Sequence, residues 1–319
     1  MLKAYDYNGF KLQPSELQDV SLFNREKAIA FGFVLKHPMK DAVTYCPVCG
    51  GQHTRYFFSR WDIDYLFCDE CGSIFVPVEE AIIQEYLICS EMQKLRALKE
   101  YQDQAEARRA EIWEEQVLWA KYRVYRYLGR NTCLNIIDYG NRYAGSVNRF
   151  RNSGMCTAYE LRNSILPIET ENLKQADVVL YMNQMQHEAD PIKALERLKE
   201  SLRPDGILIL NTRLGSGFDI LTLKGNMDML FPYEHVLLPS KKGLEIILDR
   251  AGFQLLEITT PGTRDIETVW KNREKIEDSN FFVKYLLGAA DEAVFAEFQR
   301  FLQKSGLSSF AQAVAKVRN

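Results

Sequence analysis

The sequence lacks three features that would define other classes of protein. No N-terminal stretch combines a basic head, an apolar core and a small-residue cleavage site, so we do not expect secretion. The apolar runs, such as AIAFGFVL at 28–35, fall far short of the roughly 20 residues that a membrane-spanning helix needs. Neither sign of charge dominates, because the formal net charge is only -3, and this excludes a general attraction to nucleic acid or to anionic membranes. We therefore expect a cytoplasmic protein without a membrane partner.

The composition is that of an ordinary globular protein with a large core. Of 319 residues, 46% are hydrophobic and 26% are charged, and this length predicts about two domains. The 7 cysteines are an odd number, and four of them form two tight pairs. This pattern favours reduced thiols and a metal site over a framework of disulfides.

The paired cysteines have the spacing of a two-knuckle zinc ribbon. They form two C-x2-C motifs separated by residues 50–67, and they are Cys46, Cys49, Cys68 and Cys71. Gly50 and Gly72 follow the two motifs and permit the turns that direct sulfur atoms at a metal. Four thiolates complete a tetrahedral Zn²⁺ shell and leave no open position, so the predicted zinc is structural and His53 is a loop residue. Four buried or redox cysteines without metal are the alternative.

Arginines and aromatic residues alternate between the two cysteine pairs. The residues are Arg55, Tyr56, Phe57, Phe58, Arg60 and Trp61. Such a group can hold phosphates and stack bases, but the aromatic residues of a small ribbon more often form its own core. Since the net charge gives no further support, we do not expect nucleic acid as a partner.

Helical sequence occupies residues 79–128, which contain no glycine or proline and are rich in Glu, Lys, Arg, Ala and Leu. Its apolar positions near the end recur at helical spacing and are predicted to pack on the following domain: Trp113, Val117, Leu118, Tyr122, Tyr125 and Leu128. The charged middle part suits a solvated connector or a surface for a protein partner. Before the ribbon, residues 1–43 read as an N-terminal arm with a short strand at 31–35.

The segment LNIIDYGNRYAG at 134–145 is predicted to be the functional centre of the chain. Its apolar run ends in Asp138, and a loop with small residues at Gly140, Ala144 and Gly145 follows. A buried parallel strand that enters such a loop and then a helix is the place where open α/β sheets bind nucleotides.

Strands and helices alternate after this segment, which indicates a doubly wound, mostly parallel sheet. Glu160 ends the second strand, about 20 residues after the loop, where such folds hold ribose hydroxyls. Residues 272–304 are predicted to be helical, and FAQAVAKV at 310–317 to be an edge strand antiparallel to FQLLEITT. The predicted units are an arm (1–43), a zinc ribbon (44–78), a helical connector (79–129) and a Rossmann-like domain (130–319).

The downstream motifs, in this order, resemble those of class I S-adenosylmethionine-dependent methyltransferases. The motifs are ADVVLYMNQMQHEADP, LKESLRPDGILIL and FPYEHVLLPSKKGLEIILDRAGF. Within that superfamily the chain is similar to a bacterial branch with an N-terminal zinc ribbon, often associated with sugar or secondary-metabolite modification. The resemblance implies methyl transfer to a small molecule or a saccharide precursor.

The resemblance also implies roles for individual residues. Asp138 and Gly140 would lie against the methionine end of the cofactor, Glu160 would hold its ribose, and Met182 and Asn183 would line its other side. His187 stands where relatives have a histidine in a similar loop. The stretch from Tyr233 to His235 resembles one that contributes the catalytic base in some relatives, and we prefer His235 because its unperturbed pKa lies near neutrality.

Two departures from the family pattern leave alternatives open. The loop carries Arg142 and Ala144 where glycines are usual, and Arg142 either pairs with the methionine carboxylate or blocks the pocket. The interval between Glu160 and Asp177 is short for the usual helix and adenine-contacting acid. An inactive methyltransferase-like protein that acts in assembly is therefore one alternative, and an RNA methyltransferase is a weaker one.

Overall fold

A computed structural model describes residues 20–39, 45–139, 149–162 and 175–318. Within these ranges the strands are β1 (Thr54–Arg60), β2 (Ile63–Cys68), β3 (Ile74–Phe75), β4 (Leu134–Tyr139), β5 (Cys156–Arg162), β6 (Ala176–Met182), β7 (Leu202–Arg213), β8 (Leu237–Leu238), β9 (Phe253–Thr259) and β10 (Phe310–Val317). The helices with described bounds are α1 (Val20–Lys36), α2 (Glu80–Leu87), α3 (Ser90–Arg96), α4 (Lys99–Leu128), α5 (Pro191–Glu200), α6 (Phe218–Leu223), α7 (Lys241–Arg250), α8 (Asp265–Lys271), α9 (Phe281–Ala289) and α10 (Glu292–Ser305).

A six-stranded sheet with the order β5-β4-β6-β7-β10-β9 forms the centre of the fold. The first four strands are parallel to one another, whereas β10 is antiparallel to both of its neighbours. All seven residues of β6 are buried, as expected for a strand covered on both faces. The predicted α/β class with a mostly parallel sheet is confirmed.

Successive residues of the central strands pack into two different layers, because side chains alternate between the faces of a sheet. Val178 and Leu180 belong to a core cluster that includes Trp119 and Val124 of α4. Val179 and Tyr181 belong to the larger cluster, to which α5 and α7 contribute Leu195 and Leu244 among other residues. Helices therefore cover the sheet on both sides.

The predicted packing face of α4 is only partly correct. Trp113 is buried as expected, but Leu118, Tyr122 and Tyr125 are 53%, 62% and 59% exposed. The helix instead packs through a neighbouring face with Trp119, Ala120 and Val124. Arg123 fixes this rotation, because it donates hydrogen bonds of 3.0 and 2.6 Å to Glu257 on β9.

A second, four-stranded sheet has the order β1-β2-β3-β8. Three of its strands come from the cysteine-rich segment, and β8 comes from the segment that follows Tyr233–His235. The pairs Ile74–Leu238 and Phe75–Leu237 join them in antiparallel register. The ribbon therefore shares a sheet with the region predicted to be Rossmann-like, and the proposed division into domains stays a prediction.

Several local predictions are wrong because tertiary packing overrides propensity. Residues 31–35 lie within α1 rather than in a strand. The helical region 79–128 is divided into α2, α3 and α4, with extended backbone at Cys89 and Leu98. β10 is not an edge strand, since it lies between β7 and β9.

The three cysteines outside the ribbon are not fully buried. Cys133 is exposed, and Cys89 and Cys156 are partly exposed. All seven cysteines are free thiols, as predicted. Among the described residues, no helix combines the length and the apolar character that a bilayer crossing requires.

Candidate active site and four-cysteine centre

The four ribbon cysteines converge on one point. Their sulfur atoms all lie within 4.8 Å of one another, with 3.6 Å between Cys46 and Cys71 and 3.5 Å between Cys49 and Cys68. Tetrahedral Zn²⁺ with Zn–S bonds of about 2.3 Å places its sulfur ligands about 3.8 Å apart. The donor set and its spacing thus fit a structural zinc ion.

The two knuckles that present these sulfurs have the same local fold. Gly50 and Gly72 adopt φ values of 77° and 73°, a region that an L side chain rarely enters. Their amides donate hydrogen bonds of 2.8 and 2.7 Å to the carbonyls of Cys46 and Cys68. The amide of Gly51 points at the sulfur of Cys49 at 3.3 Å. Each knuckle is therefore a tight turn closed by a hydrogen bond of its own backbone.

The ionisation of the thiols is uneven. The hydrogen bond with Cys46 lowers the pKa of Cys71 to about 5, assisted by Ser73 at 3.3 Å, and raises the pKa of Cys46. Burial raises the pKa of Cys49 to about 11. Cys71 is therefore more acidic than Cys46 and Cys49, and those two thiols would have to release their protons to bind a cation.

His53 lies outside this centre, as predicted. Its side chain is 82% exposed, and its Nδ1 lies 3.1 Å from a carboxylate oxygen of Glu70. Among the residues that the structure describes, the cluster of potential metal ligands comprises the four cysteines.

Four of the predicted cofactor residues lie along one edge of the large sheet, at the carboxyl ends of its parallel strands: Asp138, Glu160, Met182 and Asn183. Tyr139 pairs with Arg162 at the ends of β4 and β5, and Met182 pairs with Asn211 at the ends of β6 and β7. Four neighbouring strands therefore end side by side, which is where open α/β sheets bind their ligands.

Asp138 and Glu160 are both engaged by neighbours at this edge. Asp138 is fully buried and accepts a hydrogen bond from the hydroxyl of Tyr159, whose pKa is raised mainly by burial and also by this carboxylate. Glu160 accepts a 2.7 Å hydrogen bond from Nε of Arg162. The guanidinium of Arg162 also donates to the hydroxyl of Tyr139 at 3.0 Å, so it fixes the carboxylate of Glu160 from one side.

The loop that follows β4 lies outside the described residues. This applies to Gly140, Arg142, Ala144 and Gly145, and to most of the short interval after Glu160. Their predicted roles toward the methionine end of the cofactor stay predictions.

Asn183 adopts a strained backbone at the end of β6. Its φ of 55° lies in the left-handed region, which is uncommon for residues other than glycine and recurs at functional sites. Its amide donates to the side-chain oxygen of Asn211 at 2.7 Å. The sequence analysis missed Asn211, although a polar residue within the apolar run ILILNT was a usable signal.

The two histidines proposed for catalysis lie together. The ring centroids of His187 and His235 are 6.0 Å apart, although the residues are far apart in the sequence. Nδ1 of His187 donates to the backbone carbonyl of Glu234, whereas Nδ1 of His235 accepts a 3.3 Å hydrogen bond from the amide of Phe231. Nδ1 is therefore a hydrogen-bond donor in His187 and a hydrogen-bond acceptor in His235.

The other two residues of the Tyr233–His235 stretch anchor it to the helices. Tyr233 is buried and donates its hydroxyl to the carbonyl of His37 at 2.5 Å, and burial raises its pKa. The buried carboxylate of Glu234 accepts a 2.6 Å hydrogen bond from Arg96 of α3, which also binds Glu26 of α1 at 2.8 Å. Tyr233 therefore holds this segment to the chain that directly follows α1.

The fold and this edge define an α/β protein of the nucleotide-binding type, and a sequence comparison identifies its class. A family model described as a methyltransferase domain matches residues 88–258, more than half of the chain. The chain therefore belongs to the methyltransferase domain family. The prediction of an S-adenosylmethionine-dependent methyltransferase is confirmed at this level.

Curated relatives match a shorter part of the chain. The tRNA U34 carboxymethyltransferase of Idiomarina loihiensis is 27% identical over 131 residues, which are 39% of this chain and 41% of that protein. The protein of the same name from Azotobacter vinelandii is 32% identical over 122 residues, or 35% of this chain and 38% of that protein. The chain thus spans about two fifths of the length of these relatives. Their name gives no support to our expectation that nucleic acid is not a partner.

Comparison with solved structures finds similarity at low sequence identity. The 1,6-didemethyltoxoflavin-N1-methyltransferase of Burkholderia thailandensis is 12% identical, covers 77% of this chain and 96% of its own, and gives a TM-score of 0.43. The phosphoethanolamine N-methyltransferase 2 of Haemonchus contortus is 15% identical, covers 77% and 62%, and gives a TM-score of 0.46.

We predict that the purified protein contains about one zinc ion per chain, since four thiolates complete one tetrahedral shell. Replacement Cys49→Ser should abolish stoichiometric metal, as measured by plasma mass spectrometry after dialysis. Acidification should also release the metal, because its ligands must be deprotonated.

Cys89→Ser is the matched control for this prediction. Cys89 is partly exposed and lies outside the four-cysteine centre, so its replacement should leave the metal content unchanged. A wild-type protein that is isolated without metal and takes up none from added zinc would contradict the assignment.

Proposed function

We propose that this chain transfers a methyl group from S-adenosylmethionine to a small molecule or saccharide precursor, and that its ribbon holds a structural zinc ion. Membership of the methyltransferase domain family supports the reaction class. The observation that carries the proposal further is the contact between His187 and His235 next to the carboxyl ends of the parallel strands.

The cofactor would occupy the edge formed by β4, β5, β6 and β7. Glu160, held by Arg162, is suited to accept hydrogen bonds from two ribose hydroxyls. Asp138, Met182 and Asn183 come from the adjoining strand ends, and Gly140, Arg142 and Ala144 would complete the methionine side. Bound S-adenosylmethionine supplies an electrophilic methyl group on a sulfonium centre.

The hydrogen bonds of the two histidines favour different roles for them. A neutral imidazole carries its proton on one of its two nitrogens. The hydrogen bond that one nitrogen makes determines which nitrogen is protonated. His187 donates through Nδ1, so its basic nitrogen is Nε2. His235 accepts at Nδ1, so its Nε2 carries the proton and donates. In place of His235, which the sequence favoured, we therefore propose His187 as the base and His235 as the donor that orients the acceptor.

The proposed methyl transfer accounts for the bond that forms, the bond that breaks and the proton that the acceptor loses. The acceptor forms a bond to the methyl carbon as the bond from that carbon to sulfur breaks, and the acceptor's proton passes to Nε2 of His187. In-line displacement requires the acceptor to be held in a narrow range of positions, which is the part assigned to His235. General base catalysis of this kind contributes typically about 10²- to 10⁴-fold in rate.

We expect the protein to bind S-adenosylhomocysteine in isothermal titration calorimetry, and Glu160→Ala to weaken that binding. Loss of charge-assisted hydrogen bonds worth about 1.5–3 kcal/mol corresponds to roughly a tenfold to hundredfold increase in Kd. Glu196→Ala on the exposed side of α5 is the control and should bind like the wild type. If millimolar ligand gives no heat with the wild type, the proposed function fails.

The assignment of the two tautomers can be tested by nitrogen-15 NMR, because the chain has only 4 histidines. At a pH where the rings are neutral, we expect His187 to carry its proton on Nδ1 and His235 on Nε2. The variants His187→Gln and His235→Gln assign the signals, and the exposed His53 provides an internal reference. A proton on Nε2 of His187 would remove it as the base.

RNA is a second candidate acceptor, and the observation that favours it is the name of the curated relatives. The contacts of the ribbon supply little support. Arg55 is paired with Asp69 at 2.9 Å and lies over the ring of Phe67, and Arg60 donates to the carbonyl of Gly225 at 2.8 Å. Tyr56 is the most exposed of the ribbon aromatics, at 58%.

If RNA is the acceptor, binding of a labelled RNA stem-loop should weaken steeply as salt rises, because bound phosphates release counterions. Arg55→Ala should then reduce the affinity and the salt slope, whereas Lys193→Ala on the exposed face of α5 should not. Fluorescence anisotropy from about 50 to 200 mM salt measures both quantities. Binding that is absent at the lowest salt would leave the small-molecule proposal standing alone.

A further inference from the structure

Val236 joins the two histidine segments to the ribbon. Its amide donates a 2.9 Å hydrogen bond to the carbonyl of Gln186, which directly precedes His187. Its carbonyl accepts a 2.8 Å hydrogen bond from the amide of Val76, which directly follows β3. Since Val236 itself directly follows His235, one buried residue connects both histidines and the end of the ribbon sheet.

A second set of contacts joins the other end of this segment to the metal knuckle. The hydroxyl of Ser240 donates to the carbonyl of Cys71 at 2.5 Å and accepts from the amide of Gly243 at 2.8 Å. The amide of Ser240 donates to the hydroxyl of Ser73 at 3.2 Å. Ser240 thus caps α7 and holds the knuckle of Cys71 with the same side chain.

The knuckle also packs against α7 too closely for any side chain at one position. A Cβ added to Gly243 would lie 2.1 Å from the hydroxyl oxygen of Ser73. Arg250, at the other end of α7, donates to the carbonyl of Val48 in the first knuckle at 2.6 Å. Both knuckles are therefore fixed to one helix, and β8 lies between that helix and the histidines.

We propose that the metal-filled four-cysteine centre positions His187 and His235, with Val236 and Ser240 as the positioning residues. A sheet as small as β1-β2-β3 depends on bound metal for its folding, so the metal determines whether β3 and Val76 offer a fixed edge to β8 and Val236. The ribbon is then a structural support of the catalytic segment. The inference rests on the roles proposed above for the two histidines.

Hydrogen exchange followed by NMR tests this inference on the full chain. Removal of metal with a chelator should speed exchange of the amides of Val76 and Val236 by about tenfold or more, since these amides lie in the unit that opens. The amides of Ala313 and Val314 in β10, which is paired on both sides by β7 and β9, are the internal control and should keep their rates. The Nδ1 proton signal of His187 should weaken at the same time.

Two glycine variants distinguish the effect of close packing on amide protection from the effect of metal content. Gly243→Ala displaces the hydroxyl of Ser73 and breaks its hydrogen bond with the amide of Ser240, so the amide of Val236 should lose protection even with zinc in the buffer. Gly288→Ala is the matched control in a helix, because an added Cβ there meets nothing within 4 Å. Its exchange rates should equal those of the wild type.

Two results would overturn the inference. In the first, chelation speeds exchange in the knuckles at Gly50 and Gly72 while Val236 stays protected, so the ribbon melts alone. In the second, Ala313 and Val314 lose protection together with Val236, so the metal holds the whole fold. Both outcomes are measured by hydrogen exchange without a methyl acceptor, so they are independent of the calorimetric test of the proposed function.

Discussion

The pairing of β3 with β8 is the constraint on which the rest of the site depends. Ile74 and Phe75 align with Leu238 and Leu237, and the next backbone bond, from Val76 to Val236, continues the ladder. Because β-pairing fixes relative position to within one residue, it sets where the chain preceding Val236 lies. The ribbon and the large sheet consequently act as one support for the segment that carries His235.

Buried polar contacts extend this support on the other side of the segment. Arg96 binds both Glu26 and Glu234, and its side chain is 15% exposed. A buried carboxylate is stable only if it is paired, so helices α1 and α3 and the histidine segment are required together.

The sequence was most informative where a function depends on local spacing. The two C-x2-C motifs predicted a convergent cluster of four cysteines, and the alternation of apolar strands with helices predicted the parallel sheet and the polar residues at its edge. It was less informative about which face of a helix is buried and which distant residues are in contact. The apolar stripe with Leu118 and Tyr122 is exposed, because Arg123 and Glu257 select a different rotation of α4.

The sequence by itself determined the fold class, the four-cysteine cluster and the two histidine-bearing segments, since each is specified by residues close together in the chain. Only the tertiary structure decided that Nδ1 of His187 donates to the backbone carbonyl of Glu234 and that Ser240 holds the knuckle of Cys71. These contacts join residues that are distant in sequence, and a local pattern carries no information about them.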